Sequence, residues 1–220
     1  MTTEDDQGPQ LRRDAERNRE RVLTAARAVF AREGLGASMA SVAREADVGI
    51  ATLFRRFPAK QDLVAAVFAD RMDAYVQAGD TALADPDPWR GFTGYLQTLC
   101  AMQAADRGFA DILTMTFPAA KALEARRVQA YEGFVQLIDR AKASGQLRED
   151  FMSQDLVLLL MATAGVITAT GEAAPDAWRR FLAFMIQSFQ APGRGRLPNS
   201  PADAALYRAM ISLGNTRSTH

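Results

Sequence analysis

The chain has 220 residues, with 26 basic and 26 acidic side chains and a formal net charge of +0. Hydrophobic residues make up 48% of it, which is enough to fill a core and argues against general disorder. The single cysteine, Cys100, and the single histidine, His220, argue against disulfide frameworks, zinc fingers and cysteine–histidine or serine–histidine catalysis. We therefore expect no cofactor, no metal site and no enzymatic activity.

No segment has the pattern of a signal peptide or a membrane span. Residues 1–10 are acidic and polar, without the apolar core that a signal peptide needs. The most apolar run, 156–169, contains two threonines and is shorter than the ~20 residues of a membrane span. We expect a soluble, cytoplasmic protein with no membrane partner.

Apolar residues recur at the three- and four-residue spacing of amphipathic helices, and no stretch alternates with period two for long. This pattern predicts an all-α fold. Ser38 and Ser153 are predicted N-caps, and Gly34 and Gly171 are predicted helix ends. The predicted helices span 11–33, 39–46, 50–56, 60–83, 89–105, 109–116, 118–144, 154–170, 175–190 and 202–212.

We predict four parts along the chain. They are a disordered tail (1–10), a three-helix unit (11–63), a larger helical domain (64–190), and a linker with a short carboxy-terminal helix (191–220). Between Leu11 and Gln61, eleven basic residues stand against six acidic ones, so this segment carries +5 in a neutral protein. Such asymmetry indicates binding to a polyanion, or else only solvated helix faces of mixed charge.

Two short predicted helices, 39–46 and 50–56, are separated by Asp47-Val48-Gly49 and have the layout of a helix-turn-helix. Thr52 suits a base edge or a phosphate, and the preceding aliphatic side chains suit a thymine methyl group. The following cations and Lys60 suit phosphates. An ordinary helical corner with a solvated basic edge is the alternative. The residues expected to face outward are Ile50, Ala51, Thr52, Arg55 and Arg56.

The stretch ASMASVAREADVGIATLFRRFPAKQDLV, from Ala37 to Val64, resembles the DNA-binding signature of tetracycline-repressor (TetR) type regulators. The resemblance covers roughly 19–64. It implies an amino-terminal three-helix, helix-turn-helix DNA-binding domain, a third helix in the major groove of double-stranded DNA, and a larger domain that binds a ligand and dimerises. The DNA-binding residues implied by the resemblance are Arg12, Arg13, Ser38, Gly49, Phe54 and Lys60.

The sequence departs from the family pattern at four positions. Asp47 stands where glycine is common, Gly49 where serine is common, Phe54 where tyrosine is usual and Arg56 where histidine is usual. Because Phe54 has no hydroxyl group to donate to a phosphate, we expect Arg56 to replace it. The third helix also lacks the serine that would cap it.

The larger domain contains two sets of apolar residues that allow alternative interpretations. One set lines a ligand cavity or is plain core, and consists of Trp89, Phe92, Tyr95, Leu96, Leu99, Phe109, Ile112, Met115, Thr116 and Phe134. The other forms a four-helix dimer interface or is internal core, and consists of Leu156, Leu159, Leu160, Thr163, Ile167, Trp178, Phe181, Leu182, Met185 and Phe189. The layout implied by the resemblance favours the dimer. We expect a mainly apolar effector, since no pair of cations is available for an anion.

The sequence therefore predicts a transcriptional regulator that binds a palindromic operator as a homodimer. We expect a repressor that a small molecule releases from DNA. A helical enzyme with an apolar pocket is disfavoured, because no convergent nucleophile, base or metal set is visible. A helical module that presents its basic corner to a protein partner is the other alternative, and it would give no specific shift with operator DNA.

Overall fold

A computed structural model describes residues 7–116, 118 and 120–216, with the side chains of 7–15 and 214–216 outside the description. The described residues form ten α-helices, which confirms the all-α prediction. Within the same residues, no helix combines the length and hydropathy needed to cross a membrane. The helices are α1 (Gln7–Glu33), α2 (Met39–Glu45), α3 (Ile50–Arg56), α4 (Lys60–Leu83), α5 (Pro88–Ala105), α6 (Arg107–Thr114), α7 (Lys121–Ala143), α8 (Gln154–Thr170), α9 (Ala177–Phe189) and α10 (Asp203–Thr216).

The observed helices differ from the predicted ones mainly at the two ends of the chain. Helix α1 begins at Gln7, four residues before its predicted start, and α10 continues to Thr216. The predicted tail otherwise falls on residues 1–6, which lie outside the described part. Gly34 and Gly171 follow α1 and α8 with φ of 74° and 49°, so both predicted helix ends are confirmed.

The two serines predicted as N-caps, Ser38 and Ser153, behave differently. Ser38 accepts a hydrogen bond from the backbone N–H of Ser41 at 3.0 Å and so caps α2, as predicted. The predicted cap at Ser153 is wrong, because this residue has helical backbone angles and makes no capping bond. There, the carboxylate of Asp155 reaches back to accept from the N–H of Met152 at 2.8 Å.

One hydrophobic core runs through both predicted domains. Helix α4 packs against α1 at one end and against α5 and α7 along its length, while α6 packs against α1 and α8 packs against α9. The small core of the amino-terminal unit contains the residues that the sequence placed there. They are Val22, Phe30, Val42, Leu53, Phe57 and Leu63. Since α4 and α6 both contact α1, the amino-terminal unit touches the larger domain through two helices.

Candidate nucleic-acid interface and ligand cavity

The turn between α2 and α3 holds a residue in the left-handed backbone region. Asp47 has φ 50°, which is uncommon for a residue other than glycine. Its N–H donates to the carbonyl of Arg44 at 3.2 Å, and the next N–H, of Val48, donates to the carbonyl of Ala43 at 3.0 Å. Arg21 Nη2 lies 3.4 Å from the carbonyl oxygen of Asp47 and donates to it. The geometry of the turn explains why glycine is common at this position in the family.

Gly49 is the N-cap of α3, and its backbone angles do not require glycine. It has φ −64° and ψ 138°, and no side chain is present to accept from the first N–H groups of the helix. A Cβ atom at this position would lie 3.9 Å from Thr52 Oγ1, which is ordinary contact. The site therefore has room for the serine that the family pattern favours.

Helix α3 presents one face outward and anchors the other in the core. Leu53 is buried, whereas Ile50 and Phe54 are each 44% exposed. Thr52 is half-buried, and its Oγ1 accepts a hydrogen bond from Arg55 Nη2 at 3.0 Å. The outward surface contains the residues that the sequence predicted, namely Ile50, Ala51, Thr52, Arg55 and Arg56, and it also includes Phe54, which only the resemblance had indicated.

Exposed arginines without acidic partners surround this helix. In the described part of the chain, Arg32 pairs with Glu33 at 2.9 Å, whereas no ion pair includes Arg44, Arg55 or Arg56. An exposed guanidinium group that is not already neutralised is suited to a phosphate. The sequence prediction omitted Arg44, although its position on the helix before the turn was a usable signal.

The remaining predicted DNA contacts lie around the edge of this surface. Ser38 is exposed while it caps α2. Lys60 is half-buried at the start of α4; burial lowers the pKa of its ammonium group, and the nearby Asp111 carboxylate acts in the opposite direction. Arg12 and Arg13 fall within the range of α1, but their side chains lie outside the described residues.

A cavity of about 590 Å³ lies in the larger domain, between α4, α7, α8 and α10 and beside the end of α6. Its size is within the range of small-molecule sites in proteins. Most of its wall is apolar, and hydroxyl groups are supplied by tyrosines and by Ser153, whose Oγ lies 3.1 Å from Tyr131 Oη. The apolar part of the wall includes Val128, Leu156, Leu160, Leu206 and Met210.

The charged side chains at the cavity have partners within the protein. Arg127 Nη2 donates to the carbonyls of Ile112 and Met115 at 2.7 and 2.8 Å, at the end of α6. Its Nε lies 3.5 Å from Glu124 Oε2, and Glu124 Oε1 accepts from Thr116 Oγ1 at 2.9 Å. Through Arg127, the cavity is therefore joined to the carbonyl end of α6.

Helix α6, which Arg127 joins to the cavity, also contacts the amino-terminal unit. Asp111, on α6, accepts a buried hydrogen bond from the backbone N–H of Leu35, just after α1. Gly108 allows α6 to approach α1 closely, because a Cβ there would lie 2.7 Å from the ring of Phe68 and 3.1 Å from Phe30. A shift of α6 would consequently move the end of α1.

The residues predicted to line a ligand cavity lie mostly in solid core. The ring of Phe92 is 5.7 Å from that of Trp89 and 6.1 Å from that of Phe134, which is 5.5 Å from Tyr95. Three others, Ile112, Met115 and Thr116, adjoin the cavity only through the bonds described above. Their contact with a ligand stays a prediction. Also buried in this core are Leu96, Leu99 and Phe109.

The residues predicted for a dimer interface face the core of their own protomer. Ile167, Phe181 and Met185 are partly buried and pack against it. The others are fully buried, namely Leu156, Leu159, Leu160, Thr163, Trp178, Leu182 and Phe189. The periodicity identified the apolar faces of α8 and α9 correctly, but the protomer uses those faces itself. The outward apolar side chains are Leu158, 40% exposed, and Phe184, 54% exposed.

Residues 22–67 match the model for bacterial regulatory proteins of the tetR family, and residues 87–191 match that for the C-terminal domain of SbtR-like transcriptional regulators. Together the two matches cover more than half of the chain. The chain belongs to the tetR family. It is accordingly a DNA-binding transcriptional regulator, and α2 and α3 are the helix-turn-helix of a TetR-family protein.

Solved structures of other TetR-family proteins are similar along most of the chain. SCO0520 of Streptomyces coelicolor is 26% identical and covers 80% of this chain and 99% of its own, with a TM-score of 0.50. PfmR of Thermus thermophilus is 18% identical, covers 81% and 98%, and has a TM-score of 0.53. FadR of Bacillus subtilis, in complex with stearoyl-CoA, is 13% identical, covers 74% and 96%, and has a TM-score of 0.55. No curated protein matches the chain.

Proposed function

We propose that this TetR-family protein is a repressor that binds a palindromic operator as a homodimer and is released by a mainly apolar small molecule. The observation that carries the proposal is the position of α6. Its carbonyl end is held by Arg127 at the cavity, and its Asp111 holds the backbone of Leu35 in the amino-terminal unit. A ligand that prefers a different position of α6 would change the DNA-binding unit, because the two ends belong to one short helix.

On DNA, α3 would lie in the major groove. Ile50, Ala51 and Thr52 stand at its amino-terminal end, where helix-turn-helix proteins read base edges. Arg55 and Arg56, at the other end, together with Arg44 on α2, would neutralise phosphates. The exposed ring of Phe54 would pack against the sugar-phosphate backbone without donating a hydrogen bond.

The homodimer would use the outward faces of α8 and α9. On α8, Leu158 is exposed together with Ala162 and Gly165, so that a second helix can approach closely. On α9, Phe184 is exposed, with Arg180 stacked at 4.9 Å from the centre of its ring. A two-fold dimer would present two α3 helices, which is the reason to expect a palindromic operator.

The ligand would occupy the cavity between α4, α7, α8 and α10. FadR of Bacillus subtilis, which shares the fold, was solved in complex with stearoyl-CoA, and this supports a small-molecule site in a domain of this architecture. The apolar wall favours a mainly apolar effector. Release then follows if the ligand binds the state with low DNA affinity more tightly than the state that fits the operator.

The experiment that tests the proposal begins with selection of duplexes from a random DNA pool by the purified protein. If the protein is a repressor dimer, the enriched sequences should contain two inverted half-sites. Sedimentation should then find two protein chains bound to each duplex. Leu158→Glu and Phe184→Glu should weaken operator binding by favouring the monomer, whereas Leu213→Glu, also an exposed leucine, should not. Enrichment of single half-sites would contradict the dimer, and no enrichment would favour a module for a protein partner.

A further inference from the structure

The cavity between α4, α7, α8 and α10 is open to solvent on one side and closed by buried side chains on the other. Val128, Tyr131 and Tyr207 of its wall are each about half exposed and mark the open side. Leu160 and Met210, which also belong to the wall, are buried. A ligand can therefore place one end among apolar side chains while its other end stays in contact with water.

Helix α10 contributes an ordered face to this wall. The residues that it supplies stand at i, i+3, i+4 and i+7 and so lie on one side of the helix. They are Asp203, Leu206, Tyr207 and Met210. Asp203 is exposed in the first turn, whereas Met210, about two turns further along, is buried. Along α10, the wall thus changes from acidic and exposed to apolar and buried.

The carboxylate of Asp203 has only a neutral partner among the described residues. Gln154 Nε2 donates to Asp203 Oδ1, and no described lysine or arginine pairs with this carboxylate. A neutral amide donates a hydrogen bond but brings no positive charge. The negative charge of Asp203 is therefore not compensated within the described part of the chain.

The other acidic and basic side chains of the wall, Arg127 and Glu124, compensate each other. Arg127 Nε lies 3.5 Å from Glu124 Oε2, and its Nη2 donates to the carbonyl of Ile112 at 2.7 Å. Asp203 thus leaves the wall with one uncompensated negative charge. An anionic ligand would be repelled by this charge, whereas a cationic one would be attracted.

The groups near Asp203 suit a protonated amine. An ammonium group has three N–H donors and no acceptor, so it needs oxygen atoms around it. Besides the carboxylate, these are available from the hydroxyl groups of Ser153 and Tyr131, which lie 3.1 Å apart. Ser153 directly precedes Gln154, so the hydroxyl groups and the carboxylate belong to one rim of the cavity. The exposed rings of Tyr131 and Tyr207 at this opening also favour a cation.

We propose that the cavity takes an amphiphile with a single protonated amine, whose apolar body lies between α7, α8 and α10 and whose ammonium group pairs with Asp203 at the opening. The inference rests on the proposed ligand cavity and narrows the mainly apolar effector to a cationic class. At the opening the ammonium group keeps part of its hydration, so binding does not require the burial of an unpaired charge. The SbtR-like family match ends at residue 191, so this preference comes from a helix beyond the match.

The ligand class is tested by competition among three octyl compounds of different charge. The uncharged fluorescent probe N-phenyl-1-naphthylamine (NPN) reports occupation of the cavity in the full-length protein, and octylammonium, octanol and octanoate compete with it at neutral pH. Octylammonium should displace NPN at a concentration at least about threefold lower than octanol, which is the size of effect that a partly exposed ion pair gives. Octanoate should be the weakest competitor. Equal or better displacement by octanol or octanoate would overturn the cationic class.

The role of Asp203 is tested by changing its charge. Asp203→Asn should remove most of the advantage of octylammonium and leave octanol unchanged, and Asp203→Lys should place octanoate ahead of octylammonium. Asp139→Asn, which changes an exposed aspartate of α7 outside the wall, is the matched control and should keep the native order. NPN carries no charge and should bind all of these proteins alike, which shows that the substitutions preserve the cavity. An advantage of octylammonium that survives Asp203→Asn would contradict the pairing with Asp203.

Failure of this inference and failure of the proposed ligand cavity give different results. Absence of NPN binding to the native protein would remove the cavity as a ligand site, and the cationic class with it. NPN binding without a preference for octylammonium would remove the cationic class alone, and a regulator with an uncharged apolar effector would remain.

Discussion

The backbone N–H of Leu35 donates a buried hydrogen bond to Asp111 Oδ2 at 2.8 Å, across 76 positions of sequence. Leu35 follows the glycine that ends α1, and Asp111 lies in the middle of α6. The bond satisfies an amide that would otherwise be buried without a partner. It also brings the carboxylate close to Lys60, the first residue of the helix that leaves the DNA-binding unit.

We expect Asp111→Ala to lower the free energy of unfolding by about 1–3 kcal/mol, because the N–H of Leu35 would remain buried and unpaired. Asp111→Asn should cost less, since its amide oxygen can still accept the bond. Urea unfolding followed by circular dichroism measures both. Asp139→Ala, which changes an exposed aspartate of α7, is the control. Equal losses for the alanine and asparagine variants would show that the charge matters and the hydrogen bond does not.

The two glycines around the helix-turn-helix should respond in opposite ways to added side chains. Gly49→Ser should raise the free energy of unfolding by about 0.5–1 kcal/mol, through a new cap on α3 and a less flexible unfolded chain. Gly34→Ala should lower it, because Gly34 has φ 74° and its Cβ would lie 2.6 Å from Asp111 Oδ2. Gly49→Ala separates the two contributions to the serine effect, since it cannot cap. Thermal unfolding of the three variants gives the comparison, and destabilisation by Gly49→Ser would contradict the geometry of the cap.

Local signals were sufficient for most of the fold. Ser38, Gly34 and Gly171 act through their own backbone and near neighbours, so their effects can be predicted from short stretches of sequence. Ser153 was predicted wrongly, because the N–H groups of Asp155 and Leu156, from which a capping side chain would accept, donate instead to the backbone carbonyls of Met152 and Ser153 at 3.0 and 3.2 Å. Such competition depends on how the chain enters the helix, which residue type alone does not specify.

The candidate sites required information that periodicity does not contain. On α3, Leu53 could pack only against the small core of the amino-terminal unit, so the sequence was sufficient to predict which residues of this helix face outward. On α8, Leu160 and Leu158 are both apolar, and sequence spacing does not say which side the protomer covers. The cavity was missed for a related reason. Its wall combines α7 and α8 with α10, and contacts between helices far apart in sequence leave no local pattern.

Buried Cys100 should make stability fall at alkaline pH. Burial raises the pKa of its thiol to about 11, and the contact with the hydroxyl of Thr163 at 3.8 Å acts in the opposite direction. The folded state therefore keeps its proton at a pH at which the unfolded thiol, with a pKa near 9.0, has lost it. The protonated Cys100 thiol therefore adds its full contribution to the free energy of unfolding below pH 9, and this contribution is lost progressively up to about pH 11.

The free energy of unfolding should fall by about 2 kcal/mol over this pH range because of Cys100. Cys100→Ala should remove that part of the pH dependence. Urea unfolding at several pH values between 8 and 11 measures the difference between the two proteins. Other groups that titrate in this range, including the buried tyrosines, contribute equally to both curves. Parallel curves for the native protein and the variant would contradict the assignment to Cys100.

The arginines of α3 should determine the salt dependence of DNA binding. Each of Arg55→Ala and Arg56→Ala should weaken binding to all duplexes and reduce the slope of log K against log salt by about 1, because one phosphate contact is lost. Arg179→Ala, an exposed arginine on α9 that pairs with Asp176, is the control and should leave the slope unchanged. Fluorescence anisotropy across a salt series gives the slopes.

Thr52→Ala should behave differently from the arginine variants, because we expect Thr52 to read a base edge. Its hydroxyl group is bonded to Arg55 in the free protein, at 3.0 Å, so the substitution also frees that guanidinium group. We therefore expect an altered sequence preference, with about 1–3 kcal/mol lost at one operator position and a salt slope close to that of the native protein. Binding to a set of single-position operator variants measures this. A uniform loss across the whole set, with a shallower slope, would place Thr52 on the phosphates instead.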